Sequence, residues 1–277
     1  MGSTFWQQVV ANGLAVPGDR PLDDLTTELA RMLGSPVPHD RDETALQTLL
    51  TWIDRGVYDD LLAGLGDGMA HGLTVGLGSD GDDTVFRRAC SVVVLARCLA
   101  RDRAAALLPP GKVLEWGDRV ATWWVRERDL RGFVPGKGWA RAAGRGADAI
   151  AELAQSPHFG ATELTVLLDV LADRLLLPTP HRLTSGEPDR MARATTAALA
   201  RDLLPLEVLE PWVARIQQGA TGVESASSDP WSRTFNARAF LRALHLRLGV
   251  GPDRPAVRTD LLLAVTDAIR ATTDLDG

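Results

Sequence analysis

The chain has 277 residues, of which 45% are apolar and 24% charged, so it is long and apolar enough to bury a core. Basic residues number 30 and acidic residues 36, and the net charge of -6 argues against an extended nucleic-acid surface. No stretch approaches the roughly 18 consecutive apolar residues of a transmembrane helix. We therefore predict a globular protein with neither a nucleic-acid partner nor a membrane partner.

The two cysteines and the N-terminus indicate the compartment. Cys90 and Cys98 lie eight positions apart in one predicted helix, too far for a disulfide bond, so we expect a reducing, cytoplasmic setting. Residues 1–18 carry no formal charge, but they lack the basic start of a signal peptide and Gln7 and Gln8 interrupt the apolar run. We predict an amphipathic first helix there.

Apolar residues recur at helical spacing along nearly the whole chain, and no alternating strand pattern competes. Asp40 and Glu43 form a candidate capping box, and Gly34 and Gly56 mark candidate helix ends. The predicted helices cover 1–18, 22–33, 40–56, 57–65, a long segment opened by Asp82 or Asp83, 111–127, 139–154, 161–176, 187–202, 206–217, 234–247 and 256–271.

These elements predict an all-α fold of irregular stacked helical pairs, an α-solenoid or α/α-toroid, with about eleven helices. No shift in composition is strong enough to divide the chain, so we predict a single domain over 1–277. Two glycine-rich segments, near 71–83 and 218–230, are predicted to be mobile surface loops. The sequence does not indicate an oligomeric state.

One glycine pattern and the five histidines are the candidates for a cofactor or metal site. Gly76, Gly78 and Gly81 spell the G-x-G-x-x-G pattern of dinucleotide-binding folds, but no strand precedes them and Asp80 and Asp82 would repel a phosphate. A loop is the favoured interpretation. The five histidines never fall at i, i+4 spacing on a helix. We predict neither a cofactor nor a metal.

One segment combines tryptophan, arginine and carboxylate side chains. Trp123 and Trp124 lie near the end of one predicted helix, and a Gly/Pro turn follows it. A second helix is predicted to begin near Gly138 or Trp139. Small residues separate the charged positions on that second helix and allow close approach of a ligand or a neighbouring helix. The candidate ligand-binding residues are Trp123, Trp124, Glu127, Asp129, Arg131, Trp139, Arg141, Arg145 and Asp148.

Two interpretations of this segment stay open. Arg141, Arg145 and Asp148 fall at i, i+4, i+7 spacing, so the predicted helix presents them on one face that could meet a ligand. The alternative is a buried ion-pair network in which the three acidic candidates neutralise the three arginine candidates.

Residues 126–157, reading RERDLRGFVPGKGWARAAGRGADAIAELAQSP, resemble the signature of the bacterial family called domain of unknown function 2785. DDTVFRRACSVVVLARCLARD at 82–102 and FNARAFLRALHLRL at 235–248 support the resemblance, and LGSPVPHDRDETALQTLLTWIDRG extends it more weakly. The resemblance implies an all-helical protein and no established activity.

The resemblance also implies a departure. The family pattern carries two histidines at i, i+4 before an aspartate, where this chain has Arg141 and Arg145 before Asp148. Arginine neither binds a metal nor acts as an ordinary general base, and it suits a carboxylate, phosphate or sulfate instead.

The leading hypothesis is a protein whose Trp/Arg-lined pocket binds an anionic or aromatic small molecule or a peptide. A second hypothesis is an enzyme of secondary metabolism that uses Glu127, Asp129 or Asp148 as acid or base, with arginines stabilising negative charge. A third is a helical protein-interaction scaffold.

Overall fold

The computed structural model describes residues 2–221 and 230–273. In those residues the chain forms twelve α-helices, a π-helix, a 3-10 helix and a two-stranded antiparallel hairpin, which confirms the predicted all-α class. The α-helices are α1 (Gly2–Ala11), α2 (Leu22–Met32), α3 (Gln47–Asp54), α4 (Leu62–Gly72), α5 (Thr84–Ala105), α6 (Pro110–Arg126), α7 (Ala142–Ala154), α8 (Ala161–Leu176), α9 (Glu187–Leu199), α10 (Leu206–Ala220), α11 (Pro230–Val250) and α12 (Arg258–Thr272). The π-helix is His39–Leu46, the 3-10 helix is Asp59–Leu61, and the strands are β1 (Phe133–Val134) and β2 (Gly138–Trp139).

Local sequence signals explain several helix ends. α6 begins with Pro110 in its first turn, where a backbone N–H would have no helical partner. α5 is followed by Ala106 in the left-handed conformation, with φ of 51°. At the start of α8, the Gly160 N–H donates to the Glu163 carboxylate at 2.8 Å. Such signals fix the helix ends, whereas apolar periodicity located most of the helices themselves.

The structure corrects the start of the helix predicted over 139–154. A helix does not begin near Gly138 or Trp139: α7 begins at Ala142, and the preceding residues form the β1–β2 hairpin. Gly136 and Gly138 have positive φ of 75° and 80°, and Arg141 has φ of 54°, values that a right-handed helix excludes. Arg141 therefore precedes the helix on which the sequence placed it.

The chain divides into two compact units, Met1–Ala149 and Ile150–Gly277. In the first unit α4 packs on α5 and α6, α3 packs on α5, and α2 packs on the π-helix. Trp52, Phe86 and Trp116 are fully buried in its core. The organisation of 1–277 as one domain stays a prediction.

The second unit is also built from packed helix pairs. α11 packs against α9, α10 and α12, and α10 packs on α8 and α12. The Trp212 indole N–H donates to the Leu168 carbonyl at 2.8 Å, and its ring meets Phe240 edge-on at 6.0 Å between centroids. Trp212 of α10 thus contacts both α8 and α11, which agrees with the predicted packing of helix pairs.

The structure describes the glycine-rich segment at 71–83 completely and the segment at 218–230 only in part. Gly76, Gly78 and Gly81 lie in turns with φ of 61°, 97° and 86°, and α4 rather than a strand precedes them, which confirms the loop interpretation. In the predicted loop at 218–230, α10 continues to Ala220 and residues 222–229 lie outside the described residues. The mobility of both segments stays a prediction.

Both cysteines lie buried and free within α5, which confirms that they form no disulfide. None of the helices in the described part of the chain is both long and apolar enough to cross a membrane.

Candidate functional site

The first two candidate residues lie in the core at the end of α6. Trp123 and Trp124 are 1% and 0% exposed. The Trp123 indole N–H donates to a Glu127 carboxylate oxygen at 2.9 Å, and that of Trp124 donates to the Ala143 carbonyl at 3.1 Å. Gly146 on α7 makes room for the second ring, since a Cβ there would lie 2.2 Å from it. Close packing is therefore one reason for a glycine within α7.

Glu127 forms a buried ion pair that the sequence reasoning did not include. Arg88 on α5 donates through Nε and Nη2 to the two Glu127 oxygens at 2.5 and 2.8 Å, and both side chains have no exposed surface. The remaining Arg88 nitrogen, Nη1, donates to the carbonyls of Val75 and Gly76. The pair therefore holds the start of the 73–83 loop against α5, with its charges neutralised internally.

Asp129 and Arg131 form a second pair, as the ion-pair alternative predicts for these two residues. Asp129 is fully buried, and Arg131 donates to its two oxygens through Nε and Nη2 at 2.6–3.1 Å. The Gly81 amide also donates to Asp129 at 3.0 Å. Hydrogen bonding to Asp129 raises the pKa of Arg131 above its ordinary value. This pair fastens the far end of the 73–83 loop.

Trp139 and Arg141 lie on and just after the hairpin. Trp139 is 36% exposed, and the Arg141 guanidinium carbon lies 3.4 Å from the centroid of its ring, a cation–π contact. Phe133 on the opposite strand meets Trp139 edge-on at 5.1 Å. The hairpin therefore presents an aromatic pair at the surface.

Arg145 and Asp148 are half-buried residues of α7. The Arg145 guanidinium donates to the Cys90 sulfur at 3.0 Å and lies 3.7 Å from an Asp42 oxygen. The structure thus joins Trp123 with Glu127, Asp129 with Arg131, and Trp139 with Arg141, while Arg145 turns to α5 and the π-helix. No candidate lines the groove described next.

A groove of about 800 Å³ opens in the first unit between α2, α4, the end of the loop and the start of α5. Its volume falls within the range of small-molecule sites. Leu65 and Met69 form a buried apolar floor, and the helical glycines Gly64 and Gly68 have open space where a Cβ would be. The lining that matters for recognition is Ala30, Arg31, Leu65, Met69, Asp82 and Arg87.

Arg87 is the main cationic feature of this groove. It is half-buried on α5, and no carboxylate of the described residues forms an ion pair with it. Burial lowers the pKa of Arg87, yet a guanidinium remains protonated at neutral pH. Gly34 and Gly72 leave it room, since a Cβ at these positions would lie 3.4 and 3.2 Å from Arg87 atoms. Exposed Arg31 on α2 likewise forms no ion pair.

Two carboxylates lie at the same end of the groove. Asp83 accepts hydrogen bonds from the Lys137 ammonium at 2.7 and 2.8 Å. Asp82 accepts from the Thr84 amide and hydroxyl at 2.9 and 2.5 Å, and these bonds lower the pKa of Asp82. The groove therefore presents both signs of charge beside an apolar floor.

Comparison with known families gives one result, over residues 73–246, which match the family model described as a protein of unknown function (DUF2785). The chain belongs to this family. Comparisons with curated proteins and with solved structures gave no match. The DUF2785 match contains all nine candidate residues and the α5 side of the groove, whereas Arg31 and Met69 precede it.

Sequence reasoning missed Arg87, Arg88 and the groove itself. Arg88 carried a usable signal, because it lies three residues after Val85 and four before Val92 on the apolar stripe of α5. An arginine in that stripe predicts a buried partner. Arg87 carried no comparable signal, since its surroundings depend on how α2, α4 and α5 pack.

Proposed function

We propose that the chain binds a small organic anion with an apolar or aromatic body, in the groove between α2, α4 and α5. The observation that carries the proposal is Arg87, a half-buried guanidinium on the wall of a groove of about 800 Å³, with no ion-pair partner among the residues that the structure describes. A partly desolvated charge is stabilised by a hydrogen-bonded counter-ion, and the carboxylate, sulfonate or phosphate of a ligand would supply that ion.

The proposal keeps the class of function predicted from sequence and changes the residues. Glu127 and Asp129 are buried acceptors for arginine and amide groups, which favours a structural role for them over acid or base chemistry. Ligand binding at the nine candidates, catalysis and a scaffold role stay predictions. We place the binding in the cytoplasm, which the two free cysteines support.

Anilinonaphthalene sulfonate is a suitable probe, because it joins an aromatic body to one permanent anion. We expect its fluorescence to rise saturably with the full-length protein, and Arg87→Met to weaken its affinity by about tenfold or more. Arg119→Met is the matched control, since Arg119 is an exposed arginine of α6 outside the groove.

Circular dichroism and a melting curve must show that both variants are folded, because the dye also binds loosened proteins. Equal affinity of the wild type and Arg87→Met would remove the groove from the proposal. An equal loss in Arg119→Met would indicate non-specific charge attraction instead.

A further inference from the structure

The charged end of the groove carries more information than a site for a simple anion. Arg87 and Asp82 line the same groove, with Asp82 two residues before α5 and Arg87 in the first turn of that helix. Neither forms an ion pair with the other or with another residue of the described chain. Two opposite charges without ion-pair partners on the lining of one groove match a ligand that itself carries both signs.

The two acidic residues here differ in availability. The Lys137 ammonium donates to both Asp83 oxygens, so Asp83 already forms an ion pair. Asp82 uses its Oδ1 oxygen for the Thr84 amide and hydroxyl. These two donors are neutral, and the positive charge of Arg88 acts on Asp82 without forming an ion pair, so the carboxylate can still accept an ammonium group.

An apolar surface continues from this end. Ala30, Leu65 and Met69 line the groove beside open space at Gly64 and Gly68, where a side chain on α4 would otherwise fill it. A ligand seated on the charged end would therefore extend an aliphatic or aromatic group over this floor.

We propose, resting on the proposed function, that the ligand is an α-amino acid with a long apolar side chain, its carboxylate bound by Arg87 and its ammonium by Asp82. Arg31 of α2 also lines the groove and adds positive potential to it. The apolar side chain packs on Leu65 and Met69.

Three matched probes test the assignment by isothermal titration with the full-length protein at neutral pH: 2-aminooctanoate, octanoate without the ammonium, and heptylamine without the carboxylate. We expect 2-aminooctanoate to bind about tenfold or more tightly than either of the others. Asp82→Asn, which keeps an acceptor for Thr84, should reduce its affinity to that of octanoate and leave octanoate itself unweakened. Asp118→Asn, at an exposed carboxylate of α6, should change nothing.

The outcomes separate the two proposals. If octanoate binds as tightly as 2-aminooctanoate, the amino-acid assignment is overturned while anion binding stands. Heptylamine binding without octanoate would overturn both proposals. If none of the three probes binds, the amino-acid assignment is overturned, and anion binding is then decided by whether anilinonaphthalene sulfonate binds in an Arg87-dependent way. Unequal binding that survives Asp82→Asn unchanged would overturn the role of Asp82.

Discussion

At the scale of single residues, burial decides what each charged group can do. Arg88 and Glu127 neutralise each other without exposed surface, while Arg87, one position away, lines a groove without an ion pair. Adjacent residues on a helix point about 100° apart, so one enters the core and the other faces the groove. The two arginines therefore differ in their surroundings although they are adjacent in the sequence.

Removing one partner of the buried pair should be costly. Glu127→Gln leaves Arg88 as an uncompensated buried charge, and we expect it to lower the free energy of unfolding by about 3–5 kcal/mol in urea titrations. The double variant Arg88→Met, Glu127→Leu should recover part of that loss. Arg97→Met is the control, because Arg97 makes only an exposed pair with Asp54 at 3.4 Å and should cost at most about 1 kcal/mol. If Glu127→Gln and Arg97→Met lowered the free energy of unfolding equally, this account of the buried pair would be contradicted.

Tyr58 allows a direct test, because it is the single tyrosine of the chain. Burial raises its pKa from 10.0 to about 12, and its hydroxyl contacts the Thr26 hydroxyl at 2.8 Å. The folded state then holds the proton more tightly than the unfolded state, so the stability from this group is present below pH 10 and is lost as the pH rises toward 12. Tyrosinate absorbance should titrate near 12 in the folded protein and near 10 in urea. A midpoint near 10 with intact circular dichroism would refute the burial of Tyr58.

At the scale of elements, glycine positions decide how closely the helices approach. Gly66 on α4 lies against Trp116 of α6, and a Cβ there would lie 2.0 Å from the ring. Gly68 on the same helix has nothing within 4 Å of a Cβ. One glycine is therefore required by helix packing, and the other only leaves the groove open.

The two glycines predict opposite effects of the same substitution. Gly66→Ala should lower the free energy of unfolding by about 1–3 kcal/mol, because the tryptophan must shift. Gly68→Ala should raise it by about 0.5–1 kcal/mol through helix propensity. Thermal and urea unfolding measure both, and a loss of stability in Gly68→Ala would contradict the open space described at this position.

Element boundaries also show where sequence reasoning stops. The apolar period found α2, α5, α6 and α8 closely, because each buries a regular stripe. It missed the β1–β2 hairpin, since two-residue strands carry no period and the positive φ of Arg141 depends on the turn that precedes it. It also read the π-helix as ordinary α-helix, because the apolar residues of that segment, Ala45 and Leu46, both lie at its end and show no period.

At the scale of the whole molecule, helical periodicity predicted the all-α class correctly, whereas ligand binding at the nine candidate residues stays a prediction. An acidic chain of 277 residues with helical periodicity forms an all-α protein of the DUF2785 family. The segment singled out by tryptophan and arginine content contains buried and surface residues that the structure joins in separate pairs. The groove joins residues from α2 to α5, and only tertiary packing brings them together.

The burial of Cys90 and Cys98 has a practical consequence. Both thiols have no exposed surface, and burial raises the pKa of each, so neither presents a thiolate to reagents in solution. A cysteine introduced at an exposed lining residue of α2, as in Thr27→Cys, would therefore be the single accessible thiol among the described residues. A fluorophore attached there could report occupancy of the groove without replacing either native cysteine.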